Sequence, residues 1–168
     1  MINTTQHYKL IMNVVLGLEQ FDVNNVYFQE SVKNTIMDNS NFIRVIYSNN
    51  LFMLNGILLK FNLNIIYTEK SFNKFKCVFD KQRNSTEMLA ISTIEKELLS
   101  KIHIANKKPI NRITEQLTNG YIKIFIDNNK LFNNNNQHEF ILKISGIWEN
   151  ESDYGITYKF IEEGDENL

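Results

Sequence analysis

The segment Tyr121-Ile122-Lys123-Ile124-Phe125-Ile126 alternates strictly between two kinds of residue. In a strand, Ile122, Ile124 and Ile126 point to one face and Tyr121, Lys123 and Phe125 to the other. The isoleucines are a core face. The opposite face sets two aromatic rings around an ammonium, which is the chemistry of a platform for single-stranded nucleic acid. Bases stack on such rings at about 1–3 kcal/mol each, and the cation follows the phosphates. A second arrangement suits the same residues: both faces buried, with Tyr121 and Phe125 under a helix and Lys123 snorkelling outwards. The sequence leaves both open.

The densest mixture of cations and aromatics runs from Lys70 to Arg83 (KSFNKFKCVFDKQR). Read as a strand, Phe75, Cys77 and Phe79 face one way and Lys70, Phe72, Lys74 and Lys76 the other. Lys81 and Arg83 follow in the connection to a helix. A lysine row around Phe72 supplies charge neutralisation and one stacking surface. A solvated edge strand uses lysines too, because they prevent pairing with another chain. A second basic group, Lys101, Lys107, Lys108 and Arg112, lies beyond the helix. These groups predict a curved basic groove lined by Lys70, Lys74, Lys76, Lys81, Arg83, Lys107, Lys108, Arg112 and Lys123. Phe72, Tyr121 and Phe125 are its stacking rings, with Trp148 a further one at a strand end beside Glu149.

Signals for catalysis are thin. His7, His103 and His138 stand apart, with no histidine or cysteine pairing at metal-ligand spacing. No phosphate-binding glycine loop, nucleophile elbow or carboxylate cluster for two metals appears. Glu95 and Glu97 are expected on the exposed side of a helix as solvating charges. Cys77 alternates with Phe75 and Phe79, the pattern of a small buried hydrophobe rather than a nucleophile. As the single cysteine it forbids an internal disulfide and an all-cysteine zinc site. The expectation is a protein with no catalytic residue, metal or cofactor.

Charge is distributed unevenly behind a net charge of only -1. Residues 1–148 carry 17 Lys and Arg against 12 Asp and Glu, whereas residues 149–168 carry one Lys against seven acids. The positive excess sits within residues 60–123, with 12 basic and six acidic side chains. A basic body with an acidic end goes beyond what solubility requires. The Asn133–Asn136 run reads as codon drift in a tolerated loop. Leu10–Leu18 is the longest near-apolar stretch, about half of the roughly 20 residues a membrane span needs. It lacks a small-x-small cleavage site, so an intracellular location is expected.

The elements that would position these groups are mostly strands. Phe42–Ser48 and Leu51–Phe61 flank Asn49-Asn50, a signal for a hairpin with a two-residue turn. Gly56 marks a bulge or sharp bend that lets a sheet curl towards a barrel. Asn62–Tyr67, Phe72–Phe79, Tyr121–Ile126, Glu139–Ile147 and Tyr154–Ile161 complete the strands. Met88, Ile91, Ile94, Leu98 and Ile102 recur at spacings of three and four, an amphipathic helix capped by Ser85 or Thr86 and ending before Pro109. A second short helix fits Ile110–Leu117, stopped by Asn119-Gly120. Tyr8–Phe28 reads equally as strand or helix. The fold class is α+β, mostly β: an OB-fold-like Greek-key barrel with one main amphipathic helix between strands, after the third.

Residues 140–149 (FILKISGIWE) followed by 154–160 (YGITYKF) resemble the closing strands of single-stranded-DNA-binding proteins of large DNA viruses. The end, Glu162-Glu163-Gly164-Asp165-Glu166-Asn167-Leu168, is similar to the short acidic tails of bacterial and phage single-strand binders. The resemblance covers the last third of the chain, with scarce Arg and a terminal Leu as departures. It implies residues 1–161 as one binding domain and 162–168 as a tail. Glu162, Glu163, Asp165, Glu166 and Leu168 would then meet a replication protein. It also implies non-enzymatic, sequence-independent binding of single-stranded DNA in viral replication or recombination, in the nucleus or a viral replication compartment. The sequence does not separate DNA from RNA. The alternative is a protein-interaction module or homo-oligomer whose aromatic faces bury against a partner.

Overall fold

A computed structural model describes residues 14–125 and 137–162 of the chain. Its strands are β1 (Leu16–Gly17), β2 (Val26–Lys33), β3 (Asn41–Ser48), β4 (Met53–Asn55), β5 (Ile57–Ser71), β6 (Lys74–Phe79), β7 (Lys108–Ile110), β8 (Tyr121–Phe125), β9 (Gln137–Glu149) and β10 (Asp153–Glu162). Two α-helices, α1 (Ser85–Ile102) and α2 (Arg112–Thr118), sit between β6 and β8. The fold is α+β and mostly β.

Five of the strands close on themselves. The long β5 pairs with β9 over residues 57–64 and with β6 over residues 65–71. β6 pairs with β8, β8 runs parallel to β10 at Ile124 and Phe160, and β10 returns to β9. In chain order the ring is first, second, third, fifth, fourth, the order of an OB-like barrel. One departure is clear. The helices follow the second barrel strand instead of the third, so the expected position of the main helix is corrected. Outside the ring, β3 adds to β9 and β2 to β3, extending the sheet by a projecting hairpin.

Alternation explains the ring. Leu59, Phe61, Leu63, Cys77, Phe79, Ile122, Ile124, Phe140, Leu142, Ile144, Ile156 and Phe160 are buried in the core. Burying each large side chain contributes about 1.5–3 kcal/mol. Phe61 packs edge-on to Phe160 with ring centroids 5.9 Å apart, and tilted to Phe140 at 6.0 Å. Helix α1 turns Ile91, Ile94, Leu98 and Leu99 inwards. The Asn84 side chain ties its start to Asn64 of β5, and Tyr154 Oη of β10 donates to the Leu99 carbonyl near its end.

Several boundaries differ from those expected. Leu51–Phe61 is not one strand: Gly56, at φ +97°, separates β4 from β5, and a Cβ there would come 2.8 Å from the Ile144 carbonyl. The hairpin turn is four residues, Asn49–Phe52, because the Asn49 carboxamide oxygen accepts from both Leu51 N and Phe52 N. Asn84, not Ser85 or Thr86, stands at the start of α1. Of the ambiguous stretch Tyr8–Phe28, residues 8–13 lie outside the described residues, and the rest holds β1, two 3-10 turns and the start of β2. His7, Ile126 and Asn133–Asn136 lie outside the described residues, as do Glu163, Asp165, Glu166 and Leu168.

Candidate functional site

The registers of β5, β6 and β8 sort their side chains into two faces. Thr68, Cys77 and Ile122 form one cross-strand row, with Phe75 beside Ile124, and these turn inwards. The outer rows are Tyr67–Val78–Tyr121 and Glu69–Lys76–Lys123, followed by Lys74 beside Phe125. This settles the two arrangements that the Tyr121 segment allowed. Its second face is the outside of the barrel, and the Phe125 ring is 52% exposed.

On that face every ring of β8 carries an ammonium. Lys74 Nζ lies 4.6 Å from the Phe125 centroid, and Lys76 and Lys123 lie 5.2 and 5.6 Å from that of Tyr121. Such contacts contribute about 0.5–1 kcal/mol each at exposed sites. They are weak enough to be exchanged for a phosphate. The one acid in the rows, Glu69, reaches Lys76 at 3.5 Å, an exposed pair of little strength. Tyr67, half-exposed at the end of its row, extends the aromatic surface. The expectation missed it, although its spacing from Lys123 and Phe125 only becomes visible once the strands are in register.

The other expected groove residues are dispersed. Lys70 pairs with Phe75, so it belongs to the opposite face of the hairpin from Lys74 and Lys76. The reason is a turn at Phe72-Asn73 that divides the expected strand. Phe72 sits in it at φ +52° and is 97% exposed at the hairpin tip. Lys81 Nζ reaches the Thr118 carbonyl at 3.5 Å, and Arg83 pairs with Asp80 at 3.6 Å, both in the loop before α1. Lys108 is on β7, opposite Asp153 of β10. Arg112 covers the Trp148 ring at 4.7 Å, on the outside of β9 and β10. Glu162, expected in the tail, is the last residue of β10 and contacts His138 Nδ1 at 3.3 Å.

Lys107 has a structural task. Its ammonium meets Glu149 at 2.6 Å, and Ser31 Oγ donates to the other oxygen of that carboxylate at 2.7 Å. The Lys107 hydrogen bond, ahead of opposing burial, holds the Glu149 carboxyl below its usual range. Glu95 also departs from expectation. It is 1% exposed and accepts from Ile113 N, Thr114 N and Thr114 Oγ1 at 3.0, 2.7 and 2.6 Å, binding the start of α2. From α2, Gln116 reaches both ways: Oε1 accepts from Lys123 N at 2.7 Å and Nε2 donates to Tyr158 Oη at 2.9 Å. Gln116 thereby anchors the strand that carries the rings.

Cys77 is fully buried, and burial, with Glu162 nearby, pushes its thiol up to about 12. Among the described residues, no three His, Cys, Asp or Glu side chains converge to hold a metal ion. No family model, curated protein or solved structure matches this chain.

Proposed function

We propose that this chain binds single-stranded nucleic acid, without a fixed sequence, on the outer face of β6 and β8, with DNA the first ligand to try. The observation that carries the reading is the pairing of each β8 ring with an ammonium at 4.6–5.6 Å. A base that stacks on Phe125 meets a ring already half in solvent, so no core is opened. The displaced lysines gain a phosphate in exchange. Because an ammonium is a point charge without the two-pronged geometry of Arg, the face favours a backbone over any particular base edge.

Spacing defines how a strand would lie. Tyr121 and Phe125 are separated by about 13 Å along β8 at ~3.3 Å per residue. Stacked nucleotides are about 3.4 Å apart along one strand, so the two rings take non-adjacent bases. Lys76 and Lys123, in the row between them, face the intervening phosphates. The β6–β8 surface corresponds to the second and third barrel strands, the face that OB barrels commonly use for oligonucleotides.

The test is stacking. Tyr121→Ala and Phe125→Ala should each weaken binding of a labelled oligothymidylate by about 1–3 kcal/mol, and Phe125→Ala should leave the melting temperature nearly unchanged. Wild-type affinity in both variants, with intact folds, refutes the reading.

A further inference from the structure

A groove of about 750 Å³ runs on the outside of β3, β9 and β10, walled by the loop between β2 and β3. Its size is that of a small-molecule site. The chain has three arginines among 18 basic residues, and two of them, Arg44 and Arg112, line this groove together with Lys33. No Asp or Glu lines it, and no carboxylate of the described residues forms an ion pair with any of the three.

The floor is aromatic and built for the purpose of holding rings flat. Phe42 and Trp148 are register partners on adjacent strands, and Trp148 in turn faces Gly155 of β10. A Cβ on Gly155 would stand 2.8 Å from Trp148 Cζ2, and one on Gly146 would stand 2.5 Å from Phe42 Cζ. Only glycine lets both rings lie against the sheet. Over this floor sit the guanidiniums, Arg44 at 5.8 Å from the Phe42 centroid and Arg112 at 4.7 Å from that of Trp148. Tyr158 Oη adds a polar group at the edge and, while accepting from Gln116, keeps its own hydrogen to donate.

Two planar forks beside two flat rings call for a ligand that is planar and anionic at once. Guanidinium matches phosphate in a two-point contact, and also stacks on aromatic faces. We infer that this groove binds a nucleotide unit, its base stacked on the guanidinium planes that cover Phe42 and the buried Trp148, and its phosphate at the edges of Arg44 and Arg112. The inference does not rest on the β6–β8 face, whose lysines lie on other strands. The same unit has two sources: a free nucleoside monophosphate, or a terminal nucleotide of a strand.

Trp148 is the only tryptophan, so its fluorescence reports this groove directly. The experiment titrates the full chain with adenosine 5′-monophosphate, adenosine and inorganic phosphate, following Trp148 emission and, independently, heat of binding. Saturable binding of the nucleotide is expected, at least about tenfold tighter than either adenosine or phosphate. Arg44→Gln with Arg112→Gln should weaken it by about tenfold or more, with an unchanged circular dichroism spectrum. Competition with a 5′-phosphorylated oligothymidylate then separates the sources: displacement assigns a strand end, and retention a free nucleotide. No saturable binding at millimolar nucleotide, or phosphate binding as tightly as the nucleotide, overturns the inference. In either case, unaltered oligonucleotide binding through Tyr121 and Phe125 would leave the proposed function standing.

Discussion

Replacing Glu95 by alanine removes the two oxygens that hold the start of α2. The amides of Ile113 and Thr114, now bonded at 3.0 and 2.7 Å, would be left without acceptors beside a residue that is 1% exposed. A buried donor stripped of its partner costs about 1–3 kcal/mol, so two cost about 2–6 kcal/mol. That is a large share of the roughly 5–15 kcal/mol by which a domain is stable. The lower end alone lowers the melting temperature by about 4–8 °C in a chain of this size. Urea unfolding of Glu95→Ala, with the slope compared to wild type to confirm two-state behaviour, gives the loss directly. Because α2 carries Gln116, amide exchange at Lys123 should quicken in the same variant. A loss under about 1 kcal/mol would mean that water replaces the carboxylate and that the capping argument is wrong.

Other outcomes follow from the same contacts. Cys77 should resist a thiol reagent in the folded protein and react at the rate of unfolding; fast reaction under native conditions would contradict its burial. Since its thiol rises from 9.0 to about 12 on folding, that group's contribution to stability is complete below pH 9.0 and is lost as pH rises through about 12, which an alkaline melting series of Cys77→Ala against wild type would read. Glu149 works in the opposite sense: with its carboxyl held below 4.5, its contribution is present above pH 4.5 and falls away as the pH drops through the folded value. Glu149→Gln should therefore flatten the acid limb of the melting profile, and an unchanged limb would show that the Lys107 pair adds nothing.

Much of the barrel was legible in period-two alternation. Ile122 and Ile124 set the inner face of β8, and the run from Phe140 to Ile161 set the β9–β10 hairpin. The helix α1 followed from spacings of three and four. The expectation failed where local types and tertiary context disagree. Phe72 is a bulky residue at positive φ, a conformation normally left to Gly or Asn, so nothing marked the turn that separates Lys70 from Lys74. Glu95 is four residues after Ile91 and so on the buried helix face, but its charge argued for solvent; the amides that neutralise that cost come from a helix 18 residues further on. Strand β2 was missed because a register shift between Phe28 and Ser31 breaks its alternation. The aromatic floor of Phe42 and Trp148 was invisible for a different reason. It joins strands more than 100 residues apart, and only the β3–β9 register brings them side by side.

The central claim is that Lys74, Lys76 and Lys123 neutralise the backbone of a strand lying across Tyr121 and Phe125. Lys107, bound to Glu149, is left out of this set because its loss would damage the fold. The most direct measurement is the dissociation constant for an oligothymidylate as a function of salt, for wild type and for Lys74→Gln, Lys76→Gln and Lys123→Gln combined. Three phosphates neutralised at about 0.7 counterions each predict that log Kd rises with log salt at a slope of about +2 for wild type, collapsing towards zero as affinity is lost in the triple variant. The same slope and affinity in both proteins would contradict the account.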